Sequence, residues 1–320
     1  MKNSKHSGQA AVANGQSGGS GDNCGLRRRC WGMPRLLAPL LLVLSLPVLD
    51  AVALPVVDDG ALTKALTEGL GKAADEGTAV SGEVLATAAA AAPQEVKVNV
   101  TKGKRGSPSP GYEALSRSVF IIGSVYKCGK CSHWHMGGMA TGWALTSDGV
   151  MVTNAHVFTG ATGESWGVCS VDGKVFRITD VLAMDVDADL AVFKVDTAGA
   201  TLRPLPLADD APVGARVTMI SHPDGRYFFQ TSGEVARYLM APTPDGKSQK
   251  TAMSITADYA KGSSGGPALD SSGAVVGIAS STQSIYYNAE AGKPEKGPLQ
   301  MVVKNCVPVA ALRAMVAKKP

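Results

Sequence analysis

From residue 116 onward, short runs of β-branched and other apolar residues alternate with turns of Gly, Asp and Pro. The runs fall at 118–126, 150–158, 174–182, 190–196, 215–221, 231–240, 251–259, 274–280 and 299–304. Runs of this length, bounded by turn residues, predict strands. No helical pattern separates them, so the spacing predicts an all-β fold, a sandwich or a pair of barrels. The one clear helical period is terminal. Residues 307–318 repeat apolar side chains at i, i+3 and i+4, with Pro308 near the start and lysines at the end. The Pro- and Asp-rich stretch 204–215 marks a seam between two halves. Upstream, residues 54–112 are rich in Ala, Gly and Thr and predict a low-complexity linker or propeptide.

Bulk composition agrees with this pattern. The chain has 320 residues, 45% of them hydrophobic, enough for one large domain or two small ones. Aromatics are 5% and glycines number 37, which suits strands and tight turns.

The charge is uneven. Residues 1–53 carry six basic and two acidic residues, which already gives the whole net charge of +4, so the remainder is neutral. That balance argues against a nucleic-acid partner. Residues 36–49 form an apolar run of 14 residues behind basic residues, followed by Ala51-Val52-Ala53. This is the layout of a secretory signal peptide with a long polar front, and Met33 offers an alternative start. Export, with transient membrane targeting through the leader, is expected; an uncleaved anchor is the alternative. In an oxidising compartment the four cysteines beyond the leader, Cys128, Cys131, Cys169 and Cys306, are disulfide candidates, with pairing open.

Residues 261–278 read KGSSGGPALDSSGAVVGI. Such small residues make a tight loop able to hold one hydroxyl beside a fan of backbone N–H groups. A serine is a weak nucleophile and needs a base, a group that orients the base, and donors for the oxyanion. Of five histidines, His156 sits at the end of a β-run in GVMVTNAHVF. Asp185, Asp187 and Asp189 crowd DVDADLAVF, and pattern alone does not choose among them.

Three blocks in order, ATGWALTSDGVMVTNAHVF (140–158), DVDADLAVFKV (185–195) and KGSSGGPALDSSGAVVGI (261–278), resemble trypsin-fold serine proteases. The match is nearest to the exported bacterial high-temperature-requirement (Deg) branch. A fourth, weaker block is SHPDGRYFFQTSGEVAR (221–237). The resemblance implies two six-stranded antiparallel β-barrels, chymotrypsin-like, with a C-terminal α-helix. Barrel one would span 113–208, barrel two 209–306 and the helix 307–318. It implies Ser264 as nucleophile, His156 as general base and Asp189 as orienting acid, with the N–H groups of Gly262 and Ser264 as oxyanion donors. Ser263 departs from the Asn usual in the bacterial branch. Ser280 matches a serine that bonds the triad acid.

The substrate pocket implied by the same match is walled by Asp258, Ala279, Ser280, Ser281 and Thr282. Asp258 has the offset of the acid that selects basic side chains in digestive trypsin, while the bulk of Thr282 points to small aliphatic ones. With 56 residues after Ser264, the last strands and the helix are expected, without a further peptide-binding domain. Polypeptides are the expected partners and no cofactor is implied. A catalytically silent peptide binder is the alternative. In CGKCSHWH (128–135) a disulfide is the plain expectation, with no metal; zinc on Cys128, Cys131, His133 and His135 is the sharper alternative.

Overall fold

The computed structural model describes residues 55–104, 106–108, 110–287 and 297–316. The leader at 1–53, with its expected signal peptide, lies outside the described residues. Helices α1 (Asp59–Asp75), α2 (Gly82–Ala91) and α3 (Gly111–Ser116) come first. Barrel one follows with β1 (Val119–Lys127), β2 (Trp134–Ala144), β3 (Val150–Thr153), β4 (Ser165–Cys169), β5 (Val175–Asp185) and β6 (Leu190–Asp196). Barrel two comprises β7 (Arg216–Ser221), β8 (Phe229–Pro242), β9 (Gln249–Ile255), β10 (Pro267–Leu269), β11 (Val275–Tyr286) and β12 (Leu299–Pro308). Helix α4 (Val309–Met315) ends the described chain.

Each barrel is six antiparallel strands, closed by β4 pairing with β1 in the first and β10 with β7 in the second. Closure removes the open edges that would otherwise invite further pairing. The expected two-barrel fold is therefore present. Helix α4 begins two residues later than expected because β12 runs on to Pro308.

Each barrel has its own core. Phe120, Met151, Phe158 and Phe193 fill the first; Met219, Met253, Ala268 and Ala279 fill the second. A third cluster joins Trp143, Val152 and Leu190 of barrel one to Ile220, Leu269 and Ile278 of barrel two, and α4 packs Leu312 and Met315 onto it. Both barrels belong to one compact unit. The candidate site residues sit where the two barrels meet.

The segment read as a linker is different from that reading. Leu62, Leu66 and Leu70 recur every four residues on α1 and are buried against Ile121 and Val125 of β1. Asp58 caps the helix, its carboxylate accepting the Ala61 N–H at 2.8 Å. Burying a leucine contributes about 1.5–3 kcal/mol. Gly71 lets α1 approach barrel one, since a Cβ there would meet the Trp134 ring. The Ala-rich run becomes α2, capped by Ser81, with Leu85 and Ala89 in the core of barrel one. Sparse leucines at helical spacing were hidden by the surrounding small residues.

Candidate active site

The base end of the site is built by barrel one. Strand β3 ends at Thr153, and one turn of 3-10 helix, Ala155–Val157, presents His156. The short turn between β5 and β6 presents Asp189, whose φ of 60° is the left-handed conformation that Asp tolerates better than most residues. Asn154 holds that turn, its Nδ2 donating to the Asp189 carbonyl at 2.9 Å. The Asp189 carboxylate accepts His156 Nδ1–H at 2.9 Å and the His156 backbone N–H at 3.2 Å. Ser280 Oγ of β11 donates to its other oxygen at 2.5 Å. Asp189 is buried, whereas the His156 side chain is 48% exposed. With Nδ1 donating to a carboxylate, Nε2 keeps its lone pair. Asp185 and Asp187 take no part in these bonds; Asp185 caps its own turn by accepting the Ala188 N–H.

The Ser264 end is built by barrel two, mostly from backbone. Gly262 has φ of 92°, and a Cβ there would lie 2.5 Å from the His222 carbonyl. The Lys261 carbonyl accepts the Asp224 N–H at 2.7 Å. In a trans peptide the next N–H points the opposite way, so the Gly262 N–H is turned outward from that bond. The Ser263 carbonyl accepts the Gly266 N–H at 2.9 Å and turns the Ser264 N–H in the same manner. Neither N–H has an acceptor among the described residues. The Ser264 hydroxyl is half-buried and also unbonded among them.

Ser263, the departure from the bacterial pattern, is fully buried and accepts a 2.9 Å bond from Ser221. It anchors the loop from below and leaves the cleft untouched.

Thr141, which sequence reasoning missed, joins the two ends. Its N–H donates to the Ser264 carbonyl at 2.8 Å and its Oγ1 to the Gly262 carbonyl at 2.9 Å. Thr153 Oγ1 donates to the Thr141 carbonyl, and a Cβ at Gly265 would lie 2.2 Å from both Thr141 O and Thr153 Oγ1. The Ser264 loop is thus seated on the strand end that leads directly into His156. A plain threonine inside a strand gave no signal of this.

The expected pocket residues separate. Ser280 and Ser281 line a cavity of about 480 Å³ together with His156, Asp189, Met240 and Gln283. Ala279 is buried in the core of barrel two and Thr282 is exposed on β11. Asp258 is held by Lys304 Nζ at 2.8 Å, so its charge is already paired. Tyr259 spans the two predicted walls, its hydroxyl donating to the Ser281 carbonyl at 3.0 Å and the Asn305 carbonyl at 2.5 Å. Burial pushes the Tyr259 hydroxyl pKa up, so it stays a donor.

His222 is fully buried and neutral. Burial pushes its pKa down to about 3, and its Nδ1 accepts the Phe228 N–H at 3.0 Å. Cys169 and Cys306 are buried in different barrels, and burial pushes each thiol up to about 12. All four described cysteines are free thiols.

A family model described as a trypsin-like peptidase domain matches residues 140–278. Protease Do-like 5, chloroplastic, of Arabidopsis thaliana is 35% identical over 156 residues, 45% of this chain and 48% of the relative. A probable periplasmic serine endoprotease DegP-like of Brucella suis is 31% identical over 182 residues, 55% of this chain and 30% of the relative. The chain thus spans less than half the length of these curated relatives. Among solved structures, the active form of the Rv3671c protease from M. tuberculosis aligns with a TM-score of 0.46 at 23% identity, covering 71% of this chain and 95% of that one. Residues 140–278 are thus similar to a trypsin-like peptidase domain, and the relatives named above are described as Do-like and DegP-like proteases.

Proposed function

We propose that the chain is an exported serine endopeptidase acting through Ser264, His156 and Asp189. The observation that carries this reading is the Ser280–Asp189–His156 hydrogen-bond chain beside a glycine loop with two N–H groups unpaired among the described residues. On substrate binding, Ser264 Oγ turns to His156 Nε2 and attacks the scissile carbonyl as His156 takes its proton. The Gly262 and Ser264 N–H groups receive the oxyanion. His156 then protonates the leaving amine, and water, activated by the same imidazole, releases the acyl group and restores the serine. Asp189 holds the imidazole tautomer and stabilises the imidazolium.

The paired Asp258 and the Tyr259 bridge support a small apolar residue on the acyl side of the cleaved bond rather than a basic one. Export rests on the leader and on a relative described as periplasmic. Among the described residues no helix is long and apolar enough to cross a membrane.

Profiling a peptide library tests the reading. Cleavage after small apolar residues is expected, with Ser264→Ala lower by roughly 10⁶ in kcat; a folded wild-type chain that cleaves nothing would refute it. The unbonded Ser264 hydroxyl favours one rival, a peptide binder that does not cleave. That rival predicts peptide binding without turnover.

A further inference from the structure

The β1–β2 turn carries a group that peptide hydrolysis does not use. Cys128 Sγ lies 3.5 Å from Cys131 Sγ, and Cys131 Sγ lies 3.0 Å from His135 Nε2. All three atoms fall within 4.8 Å of one another. Tetrahedral zinc at ~2.3 Å from sulfur and ~2.0–2.1 Å from nitrogen sets S···S edges of about 3.8 Å and S···N edges of about 3.5 Å. The two closest pairs are within about half an ångström of those edges.

The backbone brings the two sulfurs together as well. Gly129 has φ of 71°, the left-handed conformation that tightens the turn between Cys128 and Cys131. The imidazole is positioned from the strand: His135 pairs with Tyr126 across the β1–β2 register, and their rings are 5.6 Å apart. A disulfide would account for the two sulfurs only. It would leave the His135 nitrogen, aimed at Cys131, without a purpose.

We propose that Cys128, Cys131 and His135 form a zinc site on the β1–β2 hairpin, with the fourth corner open to water or an incoming donor. Two thiolates and an imidazole are the donor set zinc favours. Binding releases the two thiol protons to solvent, while neutral His135 donates its Nε2 lone pair; no electrons are transferred. The site lies next to the docking point of α1. Trp134 Nε1 donates to Asp75 at 3.1 Å, and Lys127 Nζ pairs with the same carboxylate at 3.3 Å. An ion at the turn therefore fixes the hairpin that holds the end of α1.

Anaerobic titration of the reduced full-length chain with Co²⁺ tests the proposal, since cobalt reports thiolate ligation by charge-transfer absorption. Saturation at one equivalent is expected, with displacement by Zn²⁺. Cys131→Ser and His135→Ala should each lose the absorption while keeping the wild-type circular dichroism. Absence of the absorption from folded wild-type chain overturns the site, as does its persistence in either variant. So does air oxidation that removes two hydrogens from the 128–135 peptide in a chain that binds no cobalt.

Discussion

Barrel one and barrel two make the candidate site by different means. Barrel one supplies titratable side chains that are already bonded to one another, His156 to Asp189, with Asn154 bracing the turn. Barrel two supplies backbone: a loop with Gly262 and Gly265 at positive φ and, among the described residues, two N–H groups without acceptors and the unbonded Ser264 hydroxyl. Among the described residues, only Ser280 crosses from the second barrel into the first group, by its bond to Asp189. The contrast has a physical reason. Orientation of an imidazole needs a charge partner, which a side chain provides. Oxyanion stabilisation needs fixed dipoles that do not reorganise during reaction, which a hydrogen-bonded loop provides.

Substitutions on the two sides should therefore fail differently. Asp189→Asn removes the charge and the tautomer control, and kcat should fall by about 10⁴ with KM little changed. Gly262→Ala attacks the other barrel. Its Cβ would meet the His222 carbonyl at 2.5 Å, so the loop must move and one oxyanion donor is lost. A fall of about 10²–10³ in kcat is expected, with substrate binding retained; equal losses in kcat and peptide affinity would show that the loop has unfolded. Ser280→Ala deletes a hydrogen bond to a carboxylate, about 1.5 kcal/mol, and should slow turnover roughly tenfold. Its pH–rate profile should shift on the limb set by the base; an unshifted profile would place Ser280 in a packing role alone.

The two barrels also differ in their histidines. His156 is half exposed and bonded to a carboxylate; His222 is buried, with Phe228 stacked edge-on at 4.8 Å. The buried one has its pKa lowered from 6.5 to about 3. Above pH 6.5 both folded and unfolded chains keep it neutral, and its contribution to stability is complete. As pH falls from 6.5 toward 3, the unfolded chain takes up a proton that the folded chain refuses. Stability is lost by up to about 1.4 kcal/mol per pH unit in that window. Urea unfolding at a series of pH values should show that slope in the wild type and a flatter one in His222→Asn; equal slopes would mean His222 is not the group responsible.

The strands were legible where β-branched residues cluster, as in β1, β6 and β11. Strand β2 was not, because GGMATGW lacks alternation and its glycines are used to approach Ser124 and Ile122. The short strands β4 and β10, of five and three residues, carry too few positions to show a period. Helix α1 was hidden because three leucines in a field of Ala, Gly and Thr look sparse until the four-residue spacing is counted. At the site, His156, Asp189 and Ser264 were marked by their motif blocks. Thr141, Tyr259 and Lys304 were not, since each works through a partner 45 or more residues away: Thr141 to Gly262 at a separation of 121, Tyr259 and Lys304 to each other at 45. A pocket acid such as Asp258 reads as free from sequence until its cation appears beside it.

The central claim is that a base from barrel one activates a hydroxyl from barrel two. A phosphonylating reagent selective for activated serines tests it without knowledge of the substrate. A single adduct on Ser264 is expected by peptide mass mapping, absent from Ser264→Ala and lost from His156→Ala. A folded wild-type chain left unlabelled at saturating reagent, or a His156→Ala chain labelled at the wild-type rate, would contradict it.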